Sequence, residues 1–125
     1  MEFYRFGQET GKQISKFNSD FIMSRIIQTE HAAHIGCMHL EAGGVIGYHQ
    51  AVTPQLLLIL IGEGTVRGDK DEYVNVQAGD AVFWNKEEWH ETKTTSGLTA
   101  IVIESEELNP SLYMSVKVTV NEAPE

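Results

Sequence analysis

Short runs of apolar and β-branched residues, cut at roughly ten-residue intervals by turn formers, organise this chain and predict strands rather than helices. Phe21 to Gln28 and His34 to Glu41 each read as a strand, with Thr29 to Ala33 as the turn between them. After Gly43-Gly44 come Val45 to His49 and then Gln55 to Ile61, the longest aliphatic run, closed by Gly62-Glu63-Gly64. Thr65 to Arg67 and Tyr73 to Gln77 flank Gly68-Asp69-Lys70-Asp71, a hairpin signal. Ala81 to Trp84, Trp89 to Thr95 and Leu98 to Glu104 follow, set off by Ala78-Gly79-Asp80, Asn85-Lys86-Glu87-Glu88 and Thr95-Ser96-Gly97. Asn109-Pro110 breaks the chain, and Leu112 to Val120 alternates as one more strand. Residues 1 to 20 read as a short edge strand and a connector. The whole predicts an all-β sandwich or barrel: one domain over residues 1–120, with a disordered tail at 121–125.

At 125 residues the chain is long enough to bury one core, and its hydrophobic share of 42% is that of a globular protein. No apolar stretch approaches a membrane span, and the first residues lack the basic and apolar regions of a secretion signal. The single cysteine, Cys37, excludes an internal disulfide framework, and the expectation is a cytoplasmic protein with Cys37 as a small buried residue. Nine basic against 18 acidic residues give a net charge of −9, which argues against nucleic acid and anionic membranes as partners. An exposed Leu112 to Val120 edge strand would invite pairing, so the expectation is a homodimer formed through it or through the N-terminal segment.

The candidate chemistry lies around the second glycine turn. His49 and Gln55 are an even number of residues apart and, on an extended backbone, point the same way, as a metal or small-molecule site requires. The stretches 43–62 and 79–90 resemble the cupin superfamily. Its first motif is glycine, five residues, His-x-His, three or four residues, Glu, six residues and glycine; Gly43, His49, Ala51, Gln55 and Gly62 stand at those positions. In its second motif Gly79 and His90 match, while Asn85, Glu87 and Thr94 replace the remaining residues. The resemblance implies a jelly-roll barrel, the double-stranded β-helix, with a metal at its centre. Carried over, it makes His49, Gln55 and His90 the metal ligands; Ala51 is a missing imidazole.

Two imidazoles and an amide compensate little of a dication's charge, so a zinc, iron, manganese or nickel site and a metal-free cavity are balanced alternatives. His39, on the preceding strand, is a candidate replacement ligand; the bland alternative is a surface or packing histidine. His31 and His34 read as solvated turn residues. Tyr48, Trp84 and Trp89 are candidate walls of a ligand pocket, against the alternative that an aromatic simply fills a small barrel. Glu88 shares strand parity with His90 and is a candidate acid, base or substitute carboxylate, against a solvated turn charge. Three functions stay open on this reading. One is a metal enzyme of isomerase, oxygenase or decarboxylase type; the others are a metal-free small-ligand binding or sensor module, and a protein with a vestigial cavity acting through its dimer surface.

Overall fold

A computed structural model describes residues 1–118. Eleven strands make up its elements: β1 (Glu2–Arg5), β2 (Lys12–Ile14), β3 (Phe21–Met23), β4 (Ala33–Leu40), β5 (Val45–Gln50), β6 (Gln55–Arg67), β7 (Val74–Gln77), β8 (Asp80–Trp84), β9 (Trp89–Lys93), β10 (Leu98–Ser105) and β11 (Ser115–Val116). All pairings are antiparallel. One layer runs β11-β1-β8-β6-β10-β4; β5, β9 and β7 form the second with the far half of β6. This is the all-β jelly-roll barrel that the turn spacing and the motifs led us to expect.

β6 crosses from one layer to the other without a break, where the sequence suggested a turn at Gly62-Glu63-Gly64. The physical reason is Gly62 itself. Its φ of +88° bends the strand, the ladder to β10 shifts register nearby, and a Cβ there would collide with the Gly97 carbonyl oxygen.

Side-chain alternation along the shared strands sorts the apolar residues into two cores. Leu57 and Ile59 of β6, Val82 and Trp84 of β8, and Ala100 and Val102 of β10 fill the barrel interior. Leu56, Leu58, Phe83 and Ile103 face the other side of the large layer, where Tyr4, Ile26, Ile27, Leu108 and Met114 cover them. Phe83 therefore packs outside the barrel and Trp84 inside it.

Several expected elements differ. β1 is no edge strand: it lies between β8 and β11. The strand expected over Phe21 to Gln28 stops at Met23, and Ile26 and Ile27 serve as cover for the outer core. The strand expected over Leu112 to Val120 is reduced to Ser115–Val116 after a 3-10 turn at Pro110–Leu112, and it pairs with β1 of the same chain. Its last residues, and the tail at 121–125, lie outside the described residues. Cys37, expected to be buried, is exposed on β4. Buried Asp80 ties the chain ends to the barrel: its carboxylate accepts hydrogen bonds from Arg5 Nη1 (3.0 Å), Lys117 Nζ (2.7 Å) and the Gln77 backbone N–H (2.9 Å).

Candidate functional site

β5 and β9 pair so that His49 stands directly opposite His90. A register shift between Ile46 and His49 creates this pairing: the bulge at Gly47-Tyr48 inserts one extra residue on β5 and turns His49 toward the same side as His90. The two rings lie 4.4 Å apart at a tilt of 53°. On its other side the His90 ring stacks against Trp84, again at 4.4 Å with a 32° tilt. The three rings form a line from the surface inward, because His49 is exposed while His90 and Trp84 are buried.

The hydrogen-bonding states of the two histidines differ. The Nδ1–H of His49 donates to the Gly47 carbonyl oxygen at 2.7 Å. His90 is 1% exposed, and neither of its ring nitrogens has a protein partner. Desolvation by burial, reinforced by the neighbouring His49 and opposed by Glu88, pushes the His90 pKa down to about 4, so it is a neutral imidazole at physiological pH. Trp84 Nε1 and Thr92 Oγ1 are likewise buried and unpartnered. Thr92 follows His90 by two residues on β9 and shares its face. Parity could have flagged it in the sequence.

Gln55 is buried, lies opposite Trp84 on β8, and shares parity with Leu57 and Ile59 of the interior. On its other flank it pairs with Glu104 of β10, which is half-buried. Directly opposed residues in a ladder share a face, so Glu104 stands in the same row as Gln55 and Trp84. The sequence gives no hint of Glu104 because nothing local distinguishes it from a solvated strand carboxylate.

The other sequence candidates lie elsewhere. Tyr48 and Trp89 stack on each other at 5.2 Å, with the Arg67 guanidinium 4.0 Å above Tyr48. Arg67 in turn bonds Glu91, which has the opposite parity to His90, so this ladder occupies the outer face of the second layer. His39 is exposed on β4 and alternates with Met38 and Leu40, the residues that turn toward the core; its side chain points away from the barrel. His34, exposed near the start of β4, is the exception: it stands opposite Glu104 and so continues the row of Gln55 and Trp84, while His31 lies near Glu106 and Glu107 at the surface. Glu88 is committed at both oxygens: Oε2 accepts from the Met1 ammonium at 2.8 Å and Oε1 from the Asn85 N–H at 2.6 Å. Those bonds hold its pKa down against the opposing effect of burial. A polar groove of about 440 Å³, bordered by Glu63, Asn75, Gln77, Thr95, Ser96 and Lys117, touches none of these residues.

The set that converges is therefore His49, His90, Gln55, Trp84 and Thr92. Its donor chemistry fits a resident divalent cation poorly. Two imidazoles and an amide carry no negative charge, the row's carboxylate, Glu104, stands beyond Gln55 on β10, and buried Ala51 stands where the motif has an imidazole, so a dication stripped of water finds little compensation. Among the described residues, no group of three His, Cys, Asp or Glu side chains is placed to hold a metal ion.

A family model described as the cupin domain matches residues 36–105, more than half of the chain, so the chain belongs to the cupin family. Solved structures agree on the fold. A cupin superfamily protein of Desulfitobacterium hafniense is 17% identical with a TM-score of 0.57, over 66% of this chain and 74% of that one. An RmlC-like cupin with a double-stranded β-helix from Methanocaldococcus jannaschii is 19% identical with a TM-score of 0.56, over 82% and 87%. A predicted oxalate decarboxylase of Thermotoga maritima is 22% identical with a TM-score of 0.55, over 82% and 96%. No curated protein matches the chain.

Proposed function

We propose that this cupin binds a small, neutral, hydroxyl- or amide-bearing molecule at the barrel mouth, with His90 as the central hydrogen-bonding group and no resident divalent metal. The observation that carries this reading is the state of His90: fully buried, neutral, and unpaired at both ring nitrogens. An unpaired buried polar group costs on the order of 1–3 kcal/mol, and a ligand that meets it recovers that cost on binding. A neutral imidazole offers one donor and one acceptor. Trp84 Nε1–H adds a donor, and the Thr92 hydroxyl and the Gln55 amide can each donate and accept. His49, exposed and in line with His90, stands at the entrance.

Nothing in this set supplies the fixed positive charge that an anionic ligand favours, and the chain carries a net charge of −9. The exposed, unpaired Cys37 accords with a reducing, cytoplasmic setting. Thermal shift against a panel of polyols, sugars and small amides tests the proposal, with wild type and His90→Leu compared and metal content measured in protein purified without chelator. The expected result is a compound that raises the melting temperature of wild type only, with chelation leaving it unchanged. A metal present at one per chain, or a melting temperature that falls on chelation, overturns it.

A further inference from the structure

Trp84 on β8, Gln55 on β6, Glu104 on β10 and His34 on β4 stand opposite one another across four strands. Their facing follows from the residues that alternate with them. Ala100 and Val102 share the parity of Glu104, Met38 and Leu40 that of His34, and all four pack in the barrel interior, whereas Ile101 and Ile103 pack on the outer core. The row therefore lies on the inner face and runs from buried Trp84 and Gln55 through half-buried Glu104 to exposed His34. Two strand spacings, roughly 10 Å, separate Glu104 from Trp84, which the His90 ring contacts.

Glu104 is the one carboxylate of this row and lacks a counter-ion. The other carboxylate near His90, Glu88, is taken up by the Met1 ammonium and the Asn85 N–H. Among the described residues no ion pair involves Glu104, not even with His34, its neighbour across the strands. An ionised carboxylate only accepts hydrogen bonds, through two oxygens set side by side, so a molecule that reaches Glu104 must bring donors. At the other end of the row, Trp84 Nε1–H donates and the neutral His90 ring both donates and accepts.

We propose that Glu104 is the specificity-determining residue of this site and that the ligand is a cyclic polyol, a monosaccharide or cyclitol. Two adjacent hydroxyls of the ring donate to the Glu104 carboxylate, and hydroxyls on the opposite edge meet His90 and Trp84. This inference rests on the small-ligand reading above and narrows it to polyhydroxylated rings. The hydroxyl is the neutral group that serves both ends, since each one donates and accepts. A simple amide carries its two donors on a single nitrogen with its acceptor beside them, too few and too close together for a row of this length. A carboxylate ligand would set like charges against each other at Glu104. A site built for hydroxyls also rejects analogues lacking them, because its own polar groups are then left unpaired.

Isothermal titration of wild type, Glu104→Gln and His90→Leu against inositols, aldopentoses and aldohexoses tests the proposal, with cyclohexanecarboxamide and D-glucosamine as counter-probes. At least one cyclic polyol should bind wild type, weaken by about ten- to a hundredfold in Glu104→Gln, and be lost in His90→Leu. Glu104→Ala, as a second variant, should weaken it at least as much, and both Glu104 variants should melt close to the ligand-free wild type. A wild type that binds none of these polyols, or binds them as tightly as both Glu104 variants do, overturns the inference. If cyclohexanecarboxamide then binds wild type but not His90→Leu, the broader reading of the site stands and only the role of Glu104 falls; if no probe depends on His90, both fall. D-glucosamine binding more tightly than D-glucose to wild type, and equally in Glu104→Gln, also overturns it, by assigning the carboxylate to an ammonium group.

Discussion

His49 and His90 face each other across β5 and β9, rings 4.4 Å apart, yet one is exposed and the other is sealed from solvent on all but 1% of its surface. The pair thus joins solvent to the barrel interior. The outer ring is fixed by its bond to Gly47, and the inner ring is held by packing against Trp84 without a hydrogen bond of its own. An arrangement optimised for stability alone would place an apolar side chain at position 90.

The depressed pKa of His90 has a consequence for stability. Its folded value of about 4 lies below the ordinary 6.5, so between those values the unfolded chain binds the proton more tightly. The contribution is complete above pH 6.5 and is lost as the pH falls toward 4, at most about 3 kcal/mol. Denaturant unfolding of wild type and His90→Phe across that window should show the steeper loss in wild type. Parallel curves would mean that His90 is not buried in the neutral form.

Trp89 and Tyr48 stack on the outer face, beneath Arg67, away from the His90 side. Trp89→Ala should lower stability by about 1–2 kcal/mol through the lost ladder. Any ligand that depends on His90 should keep its affinity in this variant. A ligand lost with Trp89 but not with His90 would move the site to the outer face.

The architecture was legible in the sequence because its signals are local. Glycine turns, the hairpin at 68–71 and the two motif stretches mark the order of strands, and of the residues that the motif spacing named, His49 and His90 stand opposite each other on β5 and β9 while Gln55 stands opposite Trp84. Depth and facing were not legible. Parity between neighbours cannot show that the bulge before His49 sends Tyr48 outward, that Glu88 is taken up by the chain's own ammonium group, or that His39 turns away from the core. Glu104 was missed for the opposite reason: it enters the row only through a strand distant in sequence, whereas Thr92 lies two residues from His90 on β9 and parity alone could have found it.

The bend in β6 rests on one glycine. Gly62 has φ +88° and no room for a Cβ beside Gly97, whereas a Cβ at Gly47 would meet nothing within 4 Å. Gly62→Ala should therefore cost about 2 kcal/mol or more and lower the melting temperature by several degrees, with Gly47→Ala close to neutral. Equal effects would show that β6 does not need its bend at that point.

On the proposed reading a buried, neutral imidazole, rather than a bound dication, forms the heart of this site. Long-range proton–nitrogen spectra of the histidine rings, recorded at neutral pH before and after one equivalent of Zn²⁺, address it directly. The two His90 nitrogens should keep the shifts of a neutral ring, with no stoichiometric change. Metal-bound shifts at both His49 and His90 at one equivalent would contradict it.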